Sequence, residues 1–391
     1  MAGWFPCRAL PRGLVVLALA ALISGCGLWT RDTRPSPSPL PELEPRVHPQ
    51  MVWNRDTGRG SGGHYRQLSP HLAGDRVVAA GAGGRVGAWT LEAGERLWET
   101  RLEADVTAGV GGGEGRVVVG TGEGRVIALD LEDGQVLWRQ RLSSEVMAVS
   151  AVDQGGVVVR TNDGQLHALD AETGETAWMA GRTTPALSLR GVAVPVMLPG
   201  RVAAGFDDGR VTLFGLTRGN VLWETRAAIP SGRTELDRMA DVDGRMAYAG
   251  GVLYVAGYQG RVMALSISDG RTLWQRELSS HRGLTLAGDR LLVTDARGRV
   301  WALDRTTGGP LWQQDRLQRR GVTVPVVMDG HAVVGDAEGY LHWLSLEDGR
   351  LLGRARGDSA GIMGTLRVRD GNLYALGHGG ELAVVRLPAE K

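Results

Sequence analysis

The fold is decided by the stretch Gly124–Trp138, which reads GRVIALDLEDGQVLW. Five further copies keep its leading glycine and its closing tryptophan, and they begin at Gly84, Gly164, Gly209, Gly260 and Gly298. Two degraded copies follow, because the unit at Gly339 has Gly353 in place of the tryptophan and the unit at Gly380 stops halfway. Eight units spaced by about forty residues are typical of a propeller or solenoid array.

Within each unit, apolar and polar residues alternate with period two, which predicts short β-strands. In the second unit the expected strands are Arg116–Gly120, Arg125–Asp130 and Gln135–Arg141, with the apolar run Met147–Val152 before the next unit. Four short antiparallel strands per repeat are the content of one propeller blade, and eight blades lie within the usual range. The sequence therefore predicts an all-β fold, an eight-bladed β-propeller of four-stranded antiparallel blades.

The composition favours this fold and excludes some functions. Tight turns need residues that accept positive φ, and 59 of the 391 residues are glycine. The formal charge is +1, so the chain lacks the basic footprint of a nucleic-acid-binding protein. Lys391 is the only lysine, which leaves no phosphate-binding Gly-Lys-Ser/Thr loop and no candidate Schiff-base lysine.

One large side chain recurs at the same place in six of the units. These residues are Trp98, Trp138, Trp178, Trp223, Trp274 and Trp312. A tryptophan at a fixed position of every blade can fill the wedge between neighbours and bury about 150–250 Å². We therefore interpret the six residues as contacts between blades rather than as a ligand-stacking site.

The two ends of the repeat region predict how the ring closes. The last unit offers strands near Gly361–Val368, Asn372–Gly377 and Glu381–Leu387, and it lacks a fourth. Met51–Asp56 supplies a strand with a tryptophan and no partner before it. We expect this N-terminal strand to complete the last blade, because an open edge would invite aggregation.

The N-terminus has the features of a signal peptide. Arg8 and Arg12 precede the apolar run Leu14–Ile23, which is about half as long as a membrane-spanning helix requires. The following residues lead to Cys26 in the motif ISGC, which resembles a bacterial lipobox, where the cysteine becomes the lipidated first residue. The alternative is an ordinary signal peptide that happens to end near a cysteine.

A lipidated Cys26 would hold the protein on a bilayer without spanning it, since two or more acyl chains suffice for stable anchoring. Gly27 stands where Asp typically signals inner-membrane retention, so the lipobox resemblance implies the periplasmic face of an outer membrane. Residues 1–25 are then the signal peptide, and residues 26–50 a Pro-rich extended tether. We assign residues 51–388 to the propeller and 389–391 to a tail.

Two connections between blades are stretched. From the repeat tryptophan to the next leading glycine the chain takes 24–27 residues in four units, but 31 after Trp178 and 37 after Trp223. Blades of similar size place the surplus in loops, and long loops on a rigid scaffold commonly bind partners. The two segments are Ala186–Gly191, with the sequence ALSLRG, and Arg233–Asp243, with the sequence RTELDRMADVD.

At these segments the chain resembles the BamB family of lipoproteins, which belong to the outer-membrane β-barrel assembly (BAM) complex. The likeness also covers the lipobox, the eight repeats and Val334–Trp343. It implies a non-enzymatic scaffold that binds the POTRA domains of BamA and assists delivery and insertion of unfolded outer-membrane precursors. It implies no cofactor and no metal.

The resemblance also implies which residues bind the partner. The matching positions are Leu187, Leu189, Arg190, Asp241 and Asp243. Leucines can supply a dry anchor, Arg190 a forked donor, and the aspartates acceptors for basic partner groups. The alternative is structural, with the leucines on a strand face and the aspartates capping a solvated turn.

Two other functions stay open on the residues alone. The spacing of Ala128, Asp130, Gly134 and Trp138 also resembles the blade motif of quinone-dependent dehydrogenases, but this chain lacks their adjacent cysteine pair. The other alternative is a general periplasmic peptide-binding propeller that pairs with extended strands. The eight histidines show no zinc-ligand spacing.

Two local motifs are interpreted as turns. Gly357–Gly361 reads GDSAG, and Ala360 interrupts its likeness to the serine-protease signature, which favours a turn between blades. Asp336 and Glu338 could pair as acid and base, yet they lie in a predicted hairpin turn that needs polar residues in any case.

Overall fold

The computed structural model describes residues 3, 36–61, 66, 68–182, 184–185, 193–229, 234, 239–362 and 364–388. From Pro37 onward the described residues form one compact unit of thirty-two strands. Within the described ranges, no helix has the length and apolar character needed to cross a membrane.

The strands of the first four blades follow the chain in order. Blade 1 contains β2 (His71–Ala73), β3 (Arg76–Ala80), β4 (Arg85–Thr90) and β5 (Arg96–Arg101); blade 2 contains β6 (Val106–Gly113), β7 (Arg116–Thr121), β8 (Arg125–Asp130) and β9 (Val136–Arg141); blade 3 contains β10 (Val146–Val149), β11 (Gly156–Thr161), β12 (Gln165–Asp170) and β13 (Thr176–Gly181); blade 4 contains β14 (Val196–Leu198), β15 (Arg201–Gly205), β16 (Arg210–Gly215) and β17 (Val221–Arg226).

The remaining blades repeat this pattern until the last, which joins the two ends of the chain. Blade 5 contains β18 (Ala247–Ala249), β19 (Val252–Ala256), β20 (Arg261–Ser266) and β21 (Thr272–Glu277); blade 6 contains β22 (Leu284–Ala287), β23 (Arg290–Thr294), β24 (Val300–Asp304) and β25 (Pro310–Gln314); blade 7 contains β26 (Val326–Met328), β27 (His331–Gly335), β28 (Tyr340–Ser345) and β29 (Leu351–Arg356); blade 8 contains β30 (Arg367–Arg369), β31 (Asn372–Leu376), β32 (Glu381–Arg386) and β1 (Gln50–Asp56).

Each blade is an antiparallel sheet with its strands in chain order, except that β1 is the outer strand of blade 8. Strand β1 pairs with β32 from Gln50 opposite Arg386 to Asp56 opposite Glu381. The predicted eight-bladed propeller, closed by an N-terminal strand, is confirmed. The ring therefore has no break between its first and last blades.

Burial explains the composition of the strands. The second and third strands of a blade are almost wholly buried, as in β7 and β8, because both faces pack against neighbouring blades. The fourth strand faces outward, and in β9 only Trp138 is fully buried. The period-two pattern is therefore clear in the outer strands, whereas the middle strands are continuous apolar runs.

The repeat tryptophans join neighbouring blades, as predicted. Each indole N–H donates to a backbone carbonyl of the following blade, from Trp98 to Leu131 at 3.0 Å and from Trp138 to Ala171 at 2.9 Å. The other pairs are Trp178 with Leu216, Trp223 with Ile267, Trp274 with Arg305, and Trp312 with Leu346. Trp53 of β1 makes the same bond to Leu91.

Each of these rings lies on a repeat glycine of the next blade. A Cβ atom at Gly134 would lie 2.4 Å from the ring of Trp98, and one at Gly174 would lie 2.6 Å from that of Trp138. These glycines also have positive φ, 72° and 76°. The glycine of one repeat is therefore required by the tryptophan of the repeat before it.

One junction, between blades 7 and 8, lacks the tryptophan. Gly353 occupies the position in β29, and Val47 fills the space, since a Cβ at Gly353 would lie 2.4 Å from its Cγ2 atom. The N–H groups of Arg46 and Val47 both donate to the carbonyl of Leu352, at 2.7 and 3.1 Å. The segment before β1 thus covers the edge of blade 7.

Three arginines of blade 7 and its neighbouring loop hold the same segment by its backbone. Arg354 donates to the Pro41 carbonyl at 2.5 Å, Arg316 to Glu42 at 2.8 Å, and Arg320 to Ser38 at 2.9 Å. The predicted tether of residues 26–50 therefore includes a part, from Ser38 to Val47, that packs on the propeller. Its description as a spacer stays a prediction for the residues before it.

Two sequence-based strand limits were wrong. The run Gly361–Val368 yields only β30, and before it Ile362 N–H donates to the Asp336 carbonyl of blade 7 at 2.9 Å instead of joining the strand pairing of blade 8. The run Met147–Val152 ends as a strand at Val149, since Val152 N–H donates to Gly112 of blade 2 instead. In both segments a backbone N–H donates to the preceding blade, and a local sequence pattern does not reveal such a bond.

Replacing Trp138 by Ala should lower the free energy of unfolding by about 3–5 kcal/mol, because the change opens a cavity and removes a bond between blades. The matched control is Leu137→Ala on the same strand, whose side chain is 44% exposed. It should cost less than about 1 kcal/mol. Equal losses in urea denaturation would contradict the assigned role of the tryptophan.

Replacing Arg354 by Met should loosen the segment that covers Gly353. We expect the amide protons of Arg46 and Val47 to exchange about tenfold faster in hydrogen–deuterium exchange, as loss of a charge-assisted hydrogen bond implies. Arg350→Met, on the same blade and with an exposed side chain, is the control and should leave both rates unchanged. Unaltered exchange in Arg354→Met would show that the arginine does not hold the segment.

Candidate partner-binding surface

The two stretched connections leave the ring side by side. One joins β13 of blade 3 to β14 of blade 4, and the other joins β17 of blade 4 to β18 of blade 5. The described start of the second connection lies on the face that carries the turns between second and third strands, since Ala227 N–H donates to Gly209 of such a turn at 2.8 Å. Both connections are attached to blade 4.

The described end of the second connection packs against the ring. Val242 N–H donates to the Phe206 carbonyl of blade 4 at 3.1 Å, and the Asp241 carbonyl accepts from Tyr258 N–H of blade 5 at 2.7 Å. Ala240, Asp241, Val242 and Asp243 are all buried. This segment forms a fixed base beneath the loop.

A buried arginine lies at the centre of that base. Arg160, at the end of β11, is 3% exposed and pairs with Asp207 and with Asp243, whose Oδ1 atom lies 3.5 Å from Arg160 Nη1. Burial disfavours its charge, but the two carboxylates outweigh burial and raise the pKa of Arg160. The pairs connect blades 3 and 4 to the end of the second loop.

Three carboxylates of this cluster, those of Asp207, Asp241 and Asp243, lie near one another. Burial raises the pKa of Asp243 well above its ordinary value, with Asp207 and Asp241 adding to the effect and Arg160 opposing it. A buried pair of this kind contributes little net stability, but removal of one member leaves an uncompensated charge. Arg160 and Asp243 therefore depend on each other for position.

A second set of charges lies where the first connection begins, at Arg182. The Arg182 guanidinium lies 4.9 Å from the centre of the Phe206 ring and pairs with Glu224 and with Asp208, the latter at 3.5 Å. Arg210 contacts the same two carboxylates. The start of the loop is thus tied to blade 4 by its side chains.

The predicted partner-binding residues divide into two groups. Leu187, Leu189 and Arg190 lie outside the described residues. Asp241 and Asp243 are 0% and 4% exposed, so the structural alternative of a solvated turn is wrong for them. Both aspartates lie inside the base of the loops, and their part in partner binding stays a prediction.

Sequence reasoning missed Arg160 and Asp207. A signal for the arginine was present, because it ends the apolar strand GVVVR where other repeats have Ala80, Gly120 or Gly205. A charged residue at a buried strand position requires a partner. The sequence does not show that this partner comes from the next blade.

The two turn motifs have structural partners. Asp336 is fully buried, accepts from Arg320 at 2.8 Å and lies 2.9 Å from His342 Nε2, so it belongs to a structural network. Glu338 also pairs with Arg320.

Asp358 accepts from the N–H groups of Gly379 and Glu381, which joins the connection after blade 7 to blade 8. The interpretation of both motifs as turns is confirmed.

The central channel runs along the inner strands. It encloses a cavity of about 670 Å³ lined by segments of all eight blades. His71 of β2 lies on this lining, packed against Gly112, and its Nε2 atom has no hydrogen-bond partner among the described residues. Burial, together with Arg367 and Arg369, lowers the pKa of His71 to about 4.

A lowered histidine pKa predicts loss of stability in acid. The unfolded chain binds the proton near pH 6.5, whereas the folded protein resists it until about pH 4, so stability decreases as the pH falls through this range. For His71 the loss between pH 7 and 5 should be about 1–2 kcal/mol. His71→Gln should reduce that loss in denaturation curves measured at both pH values, and an unchanged pH dependence would refute the assignment.

The geometry first defines the class of protein. The repeat and the closed ring form a β-propeller of PQQ-like repeats. A europium-containing methanol dehydrogenase has the same fold, with a TM-score of 0.71 over 87% of this chain and 93% of that chain. At 13% identity this likeness concerns the fold alone.

The family follows from closer relatives. A family model described as outer membrane protein assembly factor BamB matches residues 82–314 and 303–390. A Pseudomonas aeruginosa protein of that name is 44% identical over 367 residues, which are 94% of this chain and 96% of the relative. The crystal structure of BamB from Moraxella catarrhalis superposes with a TM-score of 0.79 at 31% identity, covering 87% of this chain and 100% of that one.

The chain belongs to the BamB family of outer membrane protein assembly factors. The predicted family resemblance is confirmed, and the quinone-dependent dehydrogenase alternative is set aside, because the family consists of assembly factors and not of enzymes. Among the described residues, no group of three or more His, Cys, Asp or Glu side chains could hold a metal ion.

Proposed function

We propose that this protein is a scaffold subunit of the BAM complex that binds the POTRA domains of BamA and assists delivery and insertion of barrel precursors. Family membership supports the assembly role. The observation that carries the binding site is the pair of long connections above the buried Arg160 base. Loops whose ends are held in place lose less conformational entropy when they bind a partner.

In this proposal the two groups of residues have different roles. Leu187, Leu189 and Arg190 make the direct contacts, with the leucines as a dry anchor and the arginine as a forked donor to partner carboxylates or carbonyls. Asp241 and Asp243 are buried, so they act from below by holding the end of the second loop. The Arg160–Asp243 pair links that end to blade 3.

We propose further that Cys26 carries the lipid anchor and places the protein on the periplasmic face of the outer membrane. The lipobox ISGC and the glycine at position 27 support this. The packed segment from Ser38 to Val47 begins twelve residues after Cys26 in the sequence. The anchor and the propeller are therefore joined by a short connection.

The test is capture of the BamA POTRA domains by the full chain. Arg190→Glu and the double change of Leu187 and Leu189 to Glu should each weaken binding by at least about tenfold in interferometry, because they place repulsive charge in the contact. The control is Arg139→Glu, an exposed arginine on the outer strand of blade 2. It should bind like the natural protein.

The indirect role of the aspartates is separable from the direct one. Asp243→Asn should weaken POTRA binding together with a change in melting temperature, whereas the loop variants should leave the melting temperature unchanged. Binding that persists in well-folded Arg190 and leucine variants would remove this surface as the site. Binding that survives Asp243→Asn with a lowered melting temperature would assign the aspartate to stability alone.

A further inference from the structure

The cavity in the central channel carries positive charge that the proposed partner-binding surface does not use. Arg245, Arg282 and Arg367 all contribute to its lining. Arg245 and Arg282 lie just before the inner strands β18 and β22, and Arg367 is the first residue of β30. All three therefore stand near the same end of the channel, where the connections between blades lie.

Two of these arginines lack a carboxylate partner among the described residues. Arg245 is accessible to solvent within the channel, and no acidic group of the described residues pairs with it. Within the same part of the chain, Arg367 donates to the Pro70 carbonyl at 3.3 Å and to no carboxylate. The carboxylates on the same lining are occupied, since Asp243 pairs with Arg160 and Asp153 accepts from Gln154.

The backbone holds Arg245 and Arg282 side by side. Arg245 N–H donates to the Arg282 carbonyl at 3.1 Å, and the Arg245 carbonyl accepts from Leu284 N–H at 3.0 Å. This contact depends on Gly283, where φ is 98° and a Cβ atom would lie 2.1 Å from Arg245 N. The basic groups are thus fixed in place before any ligand arrives.

The arginines of the lining lie close enough to repel one another. Burial and the nearby Arg245 lower the pKa of Arg367 to about 10. Charges of one sign in a partly buried site destabilise one another, and a bound anion would relieve that repulsion. Such a site therefore favours an anion over a neutral or cationic ligand.

The rest of the lining and its size limit the kind of anion. The cavity also has an apolar part of its lining, which includes Val110, Val149, Met197 and Val324. A volume of about 670 Å³ suits a small molecule, and the ring of inner strands leaves no room for a folded partner. Paired guanidinium groups prefer carboxylate or phosphate oxygens.

We propose that the central channel binds a small organic anion that carries two or more carboxylate or phosphate groups on an apolar body. Arg245 and Arg367 are its principal contacts, and Arg282 borders the site. The ligand is bound rather than transformed, and it stabilises the ring by joining inner strands of non-adjacent blades. The arginines of this site take no part in the proposed POTRA contacts, although Asp243 belongs both to the cavity lining and to the Arg160 pair.

The test uses two probes, benzene-1,3,5-tricarboxylate and 1,4-phenylene bisphosphate, with the full chain at low ionic strength. We expect saturable binding in calorimetry and a rise in melting temperature, since a ligand that binds only the folded state stabilises it. Arg245→Gln and Arg367→Gln should bind at least about tenfold more weakly. Arg101→Gln, an exposed arginine at the end of β5, is the control and should bind normally.

A second measurement guards against variants that fold poorly. Without ligand, Arg245→Gln should melt at a temperature equal to or above that of the natural protein, because it removes repulsion from Arg367. Arg367→Lys keeps the charge and should retain part of the binding. The proposal fails if neither probe binds saturably at millimolar concentration. It also fails if the Gln variants respond like Arg101→Gln, which would indicate general charge screening.

Discussion

The structure depends on one contact that is repeated around the ring: an indole N–H that donates to a carbonyl of the next blade while the indole ring lies on that blade's glycine. In Trp138 this contact joins an outer strand to Ala171 and excludes any side chain at Gly174. Because donor and glycine belong to successive repeats, each unit is incomplete without its neighbour. Stability therefore arises between blades as much as within them.

The junction between blades 7 and 8 lacks the tryptophan contact, and other residues take its place there. Where Gly353 replaces the tryptophan, the side chain of Val47 fills the space, and the N–H groups of Arg46 and Val47 donate to the Leu352 carbonyl on the strand edge. The same segment leads from the proposed lipid anchor. The N-terminal region thus closes the ring twice, by β1 in blade 8 and by the packed segment on blade 7.

The regular tryptophan contacts between blades also explain why function is confined to a few places. A ring with equivalent blades has equivalent surfaces, so a specific site requires a departure from the repeat. The two long connections are one departure, and the buried Arg160 with Asp207 and Asp243 is the polar base that holds them. The arginines of the channel are a second departure, because among the described residues the lining from blades 1 to 4 and from blade 7 contains no arginine.

The sequence by itself determined the number of blades, the outer strands and the closing strand, since these follow from a local pattern that recurs at fixed spacing. It also located the two long connections, because any irregularity stands out against a regular repeat. Only the tertiary structure decided the burial of Asp241 and Asp243, the partners of Arg160, the cover over Gly353 and the meeting of Arg245 with Arg367. Each of these features depends on residues of different blades. Such residues meet only when the ring closes, and a local periodicity in the sequence does not encode those contacts.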